Sequence, residues 1–257
     1  MFAFAAMLIA GLLFIGMLAC SEAGRRIGLA MHKTGAEDPA KGAAAAEAAV
    51  FGLLGLLIAF TFSGAASRFD DRRHLITEEA NAIETAYLRV DLLPADAQPE
   101  LRELFRRYLD VRVATYQRAE DQAGTQAKVA EGTRLQREIW TRAWKAGLRP
   151  EVPIQAATLL LPAINQMIDV TTARQAATRN HPPPAVFLLL CGLSLVGALL
   201  VGYAVSWHNE RQWLHAVVFA AFLSVTVYVI IDLEYPRLGL IRVDGSDQTL
   251  ITLRHEM

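Results

Sequence analysis

The sequence predicts an all-α integral membrane protein with four transmembrane helices and a helical module between the second and the third. Three observations support this fold class. Hydrophobic residues make up 53% of the 257 residues and charged residues only 20%, a more apolar balance than soluble domains show. Most of the charged residues lie between Arg68 and Arg179. Outside that region, the chain contains long runs without any charge, and each run is a candidate membrane helix.

The first two membrane helices are predicted over residues 1–20 and 48–67. A helix of about 20 residues is about 30 Å long, which matches the hydrocarbon thickness of a bilayer. The alternative for the first run is a secretory signal, since residues 17–20 loosely resemble a lipoprotein cleavage site. No Lys or Arg precedes the run, and a signal needs a positive start, so a retained span is favoured.

The third and fourth membrane helices are predicted over residues 185–207, after three consecutive prolines, and 212–231. Each run predicts a helix because every backbone amide must be hydrogen-bonded in lipid. Four spans put both termini and the central module on one side of the membrane. Basic residues near the membrane are more numerous on that side, so the positive-inside rule favours a cytoplasmic module and cytoplasmic termini.

Four regions follow from these spans: residues 1–66 with the first two membrane helices and their loop, 67–181 with the module, 182–233 with the last two membrane helices, and 234–257 as a C-terminal tail. The module begins with apolar residues at alternating spacings of four and three, which predict one helix continuous with the second span. Those residues are Ile76, Ala80, Ile83, Tyr87 and Val90. Three further helices are predicted: one marked by Leu101, Leu104, Tyr108 and Val111, the others over residues 125–146 and 151–179. Residues 241–252 are expected to form a short strand or a disordered segment.

Enzymatic chemistry has no support in the sequence. There is no Gly-x-Ser-x-Gly elbow, phosphate loop or dinucleotide-binding glycine pattern. The six histidines are scattered, and two cysteines are too few for a disulfide framework or a cysteine zinc site, so no metal or other cofactor is expected. A net charge of -1 argues against a nucleic-acid partner. We therefore expect no catalytic residues.

Charged residues follow the second span and end the fourth. The first group consists of Arg68, Asp70, Asp71, Arg72 and Arg73, and two hypotheses apply to it. It is either interfacial charge, which stops the helix from sliding into lipid, or an ion vestibule. The second group, expected to be a structural anchor or plain interfacial charge, contains Asp232, Glu234, Pro236 and Arg237.

A bulky stripe on the second span is the candidate pore lining. Leu54, Ile58 and Phe62 are spaced by four, so they lie on one side of a helix. The stripe predicts either lipid-facing or core packing, or a hydrophobic constriction that gates by dewetting when several copies surround an axis. Gly52 and Gly55 point in other directions, where small residues favour close contact between helices.

Several blocks of the chain resemble the bacterial bestrophin-like domain family of membrane proteins. They are residues 51–55, 60–63, 68–73, 79–83 and 161–165 with Arg174, and 232–239. The resemblance implies a homo-oligomer, a pentamer, of anion-conducting subunits with the second span lining a central pore. Consecutive acidic residues like those of the animal calcium clasp are missing, so calcium activation is not implied.

The leading hypothesis is therefore a homo-oligomeric ion channel of the bacterial inner membrane that contacts lipid and inorganic ions. It would conduct anions through a hydrophobic neck on the second span. The alternative is a non-conducting sensor or scaffold whose module binds a ligand or partner. A third hypothesis, a stator, needs an ionisable group at mid-membrane, whereas the nearest groups lie close to span ends.

Overall fold

The computed structural model describes residues 2–33, 40–117, 122–206 and 213–257, and within these ranges the chain is helical without any strand. A short 3₁₀ helix, Arg89–Leu92, follows the second of eight α-helices found there. The helices are α1 (Phe2–Lys33), α2 (Ala40–Leu88), α3 (Gln98–Gln117), α4 (Gln122–Gly147), α5 (Ile154–Arg179), α6 (Pro184–Val205), α7 (Trp213–Glu234) and α8 (Asp244–Glu256).

Four helical segments of the described residues are long and apolar enough to cross a membrane. The four predicted spans fall in α1, α2, α6 and α7, which confirms the predicted fold class. Residues 207 and 212, at the limits of the third and fourth predicted spans, lie outside the described residues. Helix α2 runs unbroken for 49 residues, so the second span and the first module helix are one element, as predicted.

The described residues divide into two compact units. The first contains the chain up to Arg68 and His181–Leu240, and thus the four membrane segments. The second contains the described part of Phe69–Asn180 together with Ile241–Met257. The predicted tail, residues 234–257, is therefore shared between the two units at Leu240.

Helix α1 packs along α6 and α7 in the first unit, and glycines allow the closest approach. A Cβ atom on Gly202 of α6 would collide with the main-chain carbonyl of Ser21, so the two helix backbones are in contact. Helix α2 joins this packing through Phe51, whose ring meets the Phe219 ring edge-to-face at a centroid distance of 5.8 Å. Phe51 also lies against Gly197 of α6, where a larger residue would displace it.

The second unit has one hydrophobic core built from α2, α3, α4, α5 and α8. The predicted apolar seam of α2 is part of it, since Ile76, Ala80 and Ile83 are buried. Phe105 and Tyr108 of α3 are also fully enclosed. Burial of this seam explains why α2 stays helical beyond its membrane segment.

The expectation of a strand or disorder at residues 241–252 is wrong, because this segment forms most of α8. Leu250 and Leu253 are three residues apart and both are buried in the core of the second unit. Such spacing places them on one helical face, and the tertiary contacts outweigh the weak local propensity of a Thr- and Ile-containing segment.

Candidate pore segment and adjoining charged clusters

One face of the α2 membrane segment is packed within its own unit. Leu54 is 3% exposed, Thr61 7% and Ala65 fully buried. The Thr61 hydroxyl donates a hydrogen bond to the main-chain carbonyl of Leu57, one turn earlier, so it is satisfied without a partner helix. Residues spaced by three, four and seven share one side of a helix, and here that side is occupied by the protomer itself.

Two other faces of the same segment are open. Leu53, Leu56 and Phe60 form a bulky apolar face, with exposures of 54, 52 and 69%. Gly52 and Gly55 form a small-residue face, and a Cβ atom added to either glycine would meet nothing within 4 Å. The contacts expected for these glycines are therefore absent within the described part of the chain. Both faces are available to lipid or to another protein molecule.

The predicted pore stripe runs obliquely from the packed face to an open one. Leu54 is buried, Ile58 is half-buried and Phe62 is 44% exposed. Positions four apart differ by about 40° in direction around a helix, so Phe62 points about 80° away from Leu54. The three side chains therefore do not share one open surface.

Arg68 closes the membrane segment with a buried ion pair. Its Nε and Nη2 atoms donate to Oε1 of Glu234 at 2.9 and 2.5 Å, and the Glu234 side chain is fully buried. Nδ1 of His181 lies 3.5 Å from Oε2 of Glu234, and the His181 ring stacks on Tyr235 at 4.4 Å. This cluster ties the end of the α2 membrane segment to the end of α7 inside the first unit.

Asp232 holds the turn that follows α7. Both of its carboxylate oxygens accept a hydrogen bond from the main-chain N–H of Leu240, at 3.1 and 3.0 Å. Gly239 lies so close to this carboxylate that a Cβ atom would collide with it. Pro236 is buried and Arg237 half-buried in the same turn. The predicted anchor residues thus lie together, and their structural role stays a prediction.

The five charged residues after the second span are not one cluster. Arg72 is buried and donates to the main-chain carbonyls of Ala177 and Asn180, at 3.2 and 3.0 Å. It caps the C-terminal end of α5, where unpaired carbonyls attract a cation. Asp70 and Asp71 are exposed, and Asp70 lies 3.6 Å from the exposed Arg73.

The second unit contains a buried ionic cluster that the sequence did not predict. The fully buried carboxylate of Glu79 pairs with Arg112 and, at 2.5 Å, with Arg174. Arg174 also donates to Asp247 of α8 at 2.9 Å. The only available signal was position, because Glu79 follows Ile76 by three residues and therefore lies on the apolar seam of α2.

The electrostatics of this cluster keep Glu79 ionised. Glu79 lies beyond the predicted span 48–67, and its burial by itself would raise the pKa. Arg112 and Arg174 outweigh burial and lower the pKa of Glu79 below its ordinary value. Nearby, burial raises the pKa of Tyr108 to about 12, and the neutral hydroxyl bonds with Thr171 and Gln136 at 2.9 Å each.

Comparisons with known proteins relate this fold to bacterial bestrophins. A search of curated proteins finds no match. Crystal structures of a bacterial bestrophin homologue from Klebsiella pneumoniae are similar, although only 14% identical in sequence. A form with a tyrosine-to-alanine mutation has a TM-score of 0.69 and aligns over 95% of this chain and 98% of its own. The form solved by zinc phasing has a TM-score of 0.67 and aligns over 94 and 98%.

The sequence itself identifies the family. Residues 38–247 match the description "Bestrophin-like domain", which covers most of the chain and the whole of α2, α6 and α7. The apolar helices and the fold agree with a protein embedded in lipid. This chain is a membrane protein that belongs to the bestrophin-like domain family.

Proposed function

We propose that this chain forms a homo-oligomeric ion channel whose pore is lined by α2, with the pentamer implied by the family resemblance as its assembly. The observation that supports this proposal is the pair of open faces on the α2 membrane segment. The small-residue face suits close contact with a neighbouring copy at Gly52, whereas Gly55 lies seven residues before Phe62 and therefore on the same side of the helix. A helix open on two sides is what a ring of subunits around an axis requires.

We assign the constriction to Ile58 and Phe62. Rings of these side chains would exclude water when narrow and admit hydrated ions when slightly wider. Leu54, which is buried in its own protomer, would support the constriction from behind. Of the three residues predicted to form the hydrophobic neck, Ile58 and Phe62 are kept as lining residues, and Leu54 is assigned to packing.

The selectivity of the proposed channel for anions or cations can be measured electrically. The resemblance implies anion conduction, and we keep this as the first candidate. One observation favours cations: Asp70, Asp71 and Arg73 are the exposed members of the charged group, and together they carry one negative charge per chain. A ring of acidic residues attracts cations. Reversal potentials under a potassium chloride gradient have opposite signs for the two selectivities.

The channel proposal is tested by measuring the oligomeric mass of the protein and the ionic current that it passes. The purified full-length chain is expected to form a ring of subunits in detergent and to pass current after reconstitution into vesicles. A monomer that passes no current under any salt gradient would contradict the proposal. We further propose that the chain is a multi-pass protein of the bacterial inner membrane with cytoplasmic termini. Thiol labelling of a Gln248→Cys variant in sealed cells tests this topology.

A sensor or scaffold is the second candidate, and one feature of the second unit supports it. A cleft of about 390 Å³ lies between α2 and α5, with Glu78, Asn81, Arg89 and Gln166 among its lining residues. Polar groups of both charges around such a cleft would suit a small polar ligand. A ring-shaped assembly that binds a ligand but never conducts would favour this function over the channel.

A further inference from the structure

A small apolar pocket lies between α1, α6 and α7 in the first unit. It has a volume of about 200 Å³, and its walls include Leu18, Val205 and Trp213. Glu22 and Arg25 line it where the uncharged part of α1 has ended. Trp213 is 64% exposed at the first residue of α7, and tryptophans at span ends are typical of the membrane–water interface. The pocket therefore lies where lipid headgroups meet hydrocarbon.

The charged rim of this pocket consists of Glu22 and Arg25, and Arg26 is joined to it through the Glu22 carboxylate. Nε and Nη2 of Arg25 each donate to the Glu22 carboxylate at 2.9 Å, and Nε of Arg26 donates to the same carboxylate at 2.9 Å. Two guanidinium groups thus share one carboxylate, and the three residues carry one net positive charge. Arg26 uses only Nε in this contact and its side chain is 75% exposed, so its Nη donors can reach a further anion.

We propose that this pocket binds an anionic phospholipid, with its phosphate on Arg25 and Arg26 and the start of an acyl chain against Leu18 and Val205. The apolar walls offer no partner to a soluble anion, whereas they match a lipid that carries phosphate and hydrocarbon together. A zwitterionic lipid binds less well because its own cation opposes the positive rim. The site is separate from the proposed constriction and does not require conduction.

The test follows the thermal unfolding midpoint of the delipidated full-length protein in detergent. Short-chain phosphatidylglycerol, short-chain phosphatidylcholine and inorganic phosphate are added separately over a concentration series. Phosphatidylglycerol is expected to raise the midpoint most. The combined Arg25→Gln and Arg26→Gln variant is expected to lose about tenfold in apparent affinity, because charge-assisted hydrogen bonds to phosphate are removed.

Two further variants keep the test decisive if the arginine variant folds poorly. Glu22→Gln removes the competing carboxylate, so it is expected to strengthen phosphatidylglycerol binding. Ala216→Phe fills the pocket without changing charge and is expected to weaken it. Arg73→Gln, which removes an exposed arginine outside the site, is the matched control and should have no effect.

Three results would overturn the proposal. Equal effects of phosphatidylglycerol and phosphatidylcholine would show that the positive rim does not recognise the headgroup. An equal effect of inorganic phosphate would identify a soluble anion as the ligand in place of a lipid. Binding that is unchanged in Glu22→Gln, Ala216→Phe and the arginine variant would place the lipid elsewhere.

Discussion

Arg68 and Glu234 form an ion pair at 2.5 Å across 166 residues of sequence, and the Glu234 carboxylate in this pair is fully buried. Arg68 is the first charged residue after the uncharged segment of α2, and Glu234 is the last residue of α7. A pair so placed fixes where two membrane helices end relative to each other within the first unit. Its energetic role depends on the buried carboxylate, because a buried charge without its partner is strongly unfavourable.

We predict that Arg68→Gln lowers the free energy of unfolding by about 3 to 5 kcal/mol, because it leaves the Glu234 carboxylate buried without its guanidinium. The combined Arg68→Gln and Glu234→Gln variant is expected to regain most of this loss, since two neutral amides replace the ion pair. The measurement is thermal unfolding in detergent, followed by the loss of helical circular dichroism.

Arg73→Gln is the control for this prediction. Its partner Asp70 is exposed and 3.6 Å away, and exposed pairs contribute about 0 to 1 kcal/mol. If Arg68→Gln changed stability as little as Arg73→Gln, or if the combined variant were the least stable of all, the buried pair would not have the role described.

The contact between Gly239 and Asp232 leads to a second prediction. Gly239→Ala places a methyl group into the Asp232 carboxylate, so the turn after α7 must shift. We expect a loss of about 1 to 3 kcal/mol, as for other overpacked sites. Gly245→Ala in α8 is the matched control because a Cβ atom there meets nothing within 4 Å. Equal unfolding midpoints for the two variants would show that the turn is not an anchor.

The ionised Glu79 gives a pH-dependent prediction. Because its folded pKa is lowered, its contribution to stability is complete above the ordinary value of about 4.3 and is lost as the pH falls through the folded value. Glu79→Gln is therefore expected to be destabilised at pH 7, where it leaves Arg112 and Arg174 without their shared carboxylate. The difference from the natural protein should shrink below about pH 4.

Unfolding midpoints of the two proteins, measured in parallel from pH 7 down to pH 3.5, test this prediction. A difference that stays constant over the whole range would mean that the pKa of Glu79 is the same in the folded and unfolded protein, and a difference that grows as the pH falls would mean that the folded pKa is raised.

The membrane helices could be predicted because every backbone N–H and C=O group in hydrocarbon must be hydrogen-bonded within the protein, and a helix achieves this within a single segment. Each uncharged run long enough to cross a bilayer forms a helix within its described residues, and α2 continues because the seam that begins at Ile76 is apolar at helical spacing. The α8 segment was not predictable in the same way. Its helix depends on burying Leu250 and Leu253 against residues far away in sequence.

The charged residues were the hardest to interpret from sequence, since type and spacing do not reveal burial. Three arginines lie within six residues of each other, yet their surroundings differ. Arg68 pairs with a buried carboxylate, Arg72 caps a helix and Arg73 is exposed. The pore stripe had the same difficulty. The spacing by four predicts that Leu54, Ile58 and Phe62 share one side of α2. It does not reveal which of them the other helices of the first unit cover.

The last prediction concerns the proposed constriction. Ile58→Ala combined with Phe62→Ala is expected to raise conductance, because smaller side chains widen an apolar ring and weaken its exclusion of water. Leu56→Ala combined with Phe60→Ala is the matched control. It removes an isomeric pair at the same spacing of four from the bulky open face of the same helix.

Leu54→Ala separates packing from pore lining. Because Leu54 is buried, we expect it to cost about 2 to 5 kcal/mol of stability without opening the pore further. Single-channel conductance in planar bilayers, together with unfolding midpoints, distinguishes the three variants. If the Leu56 and Phe60 variant conducted more while the Ile58 and Phe62 variant did not, the ring facing the axis would be the bulky face, and the small-residue face at Gly52 and Gly55 would remain the contact between copies.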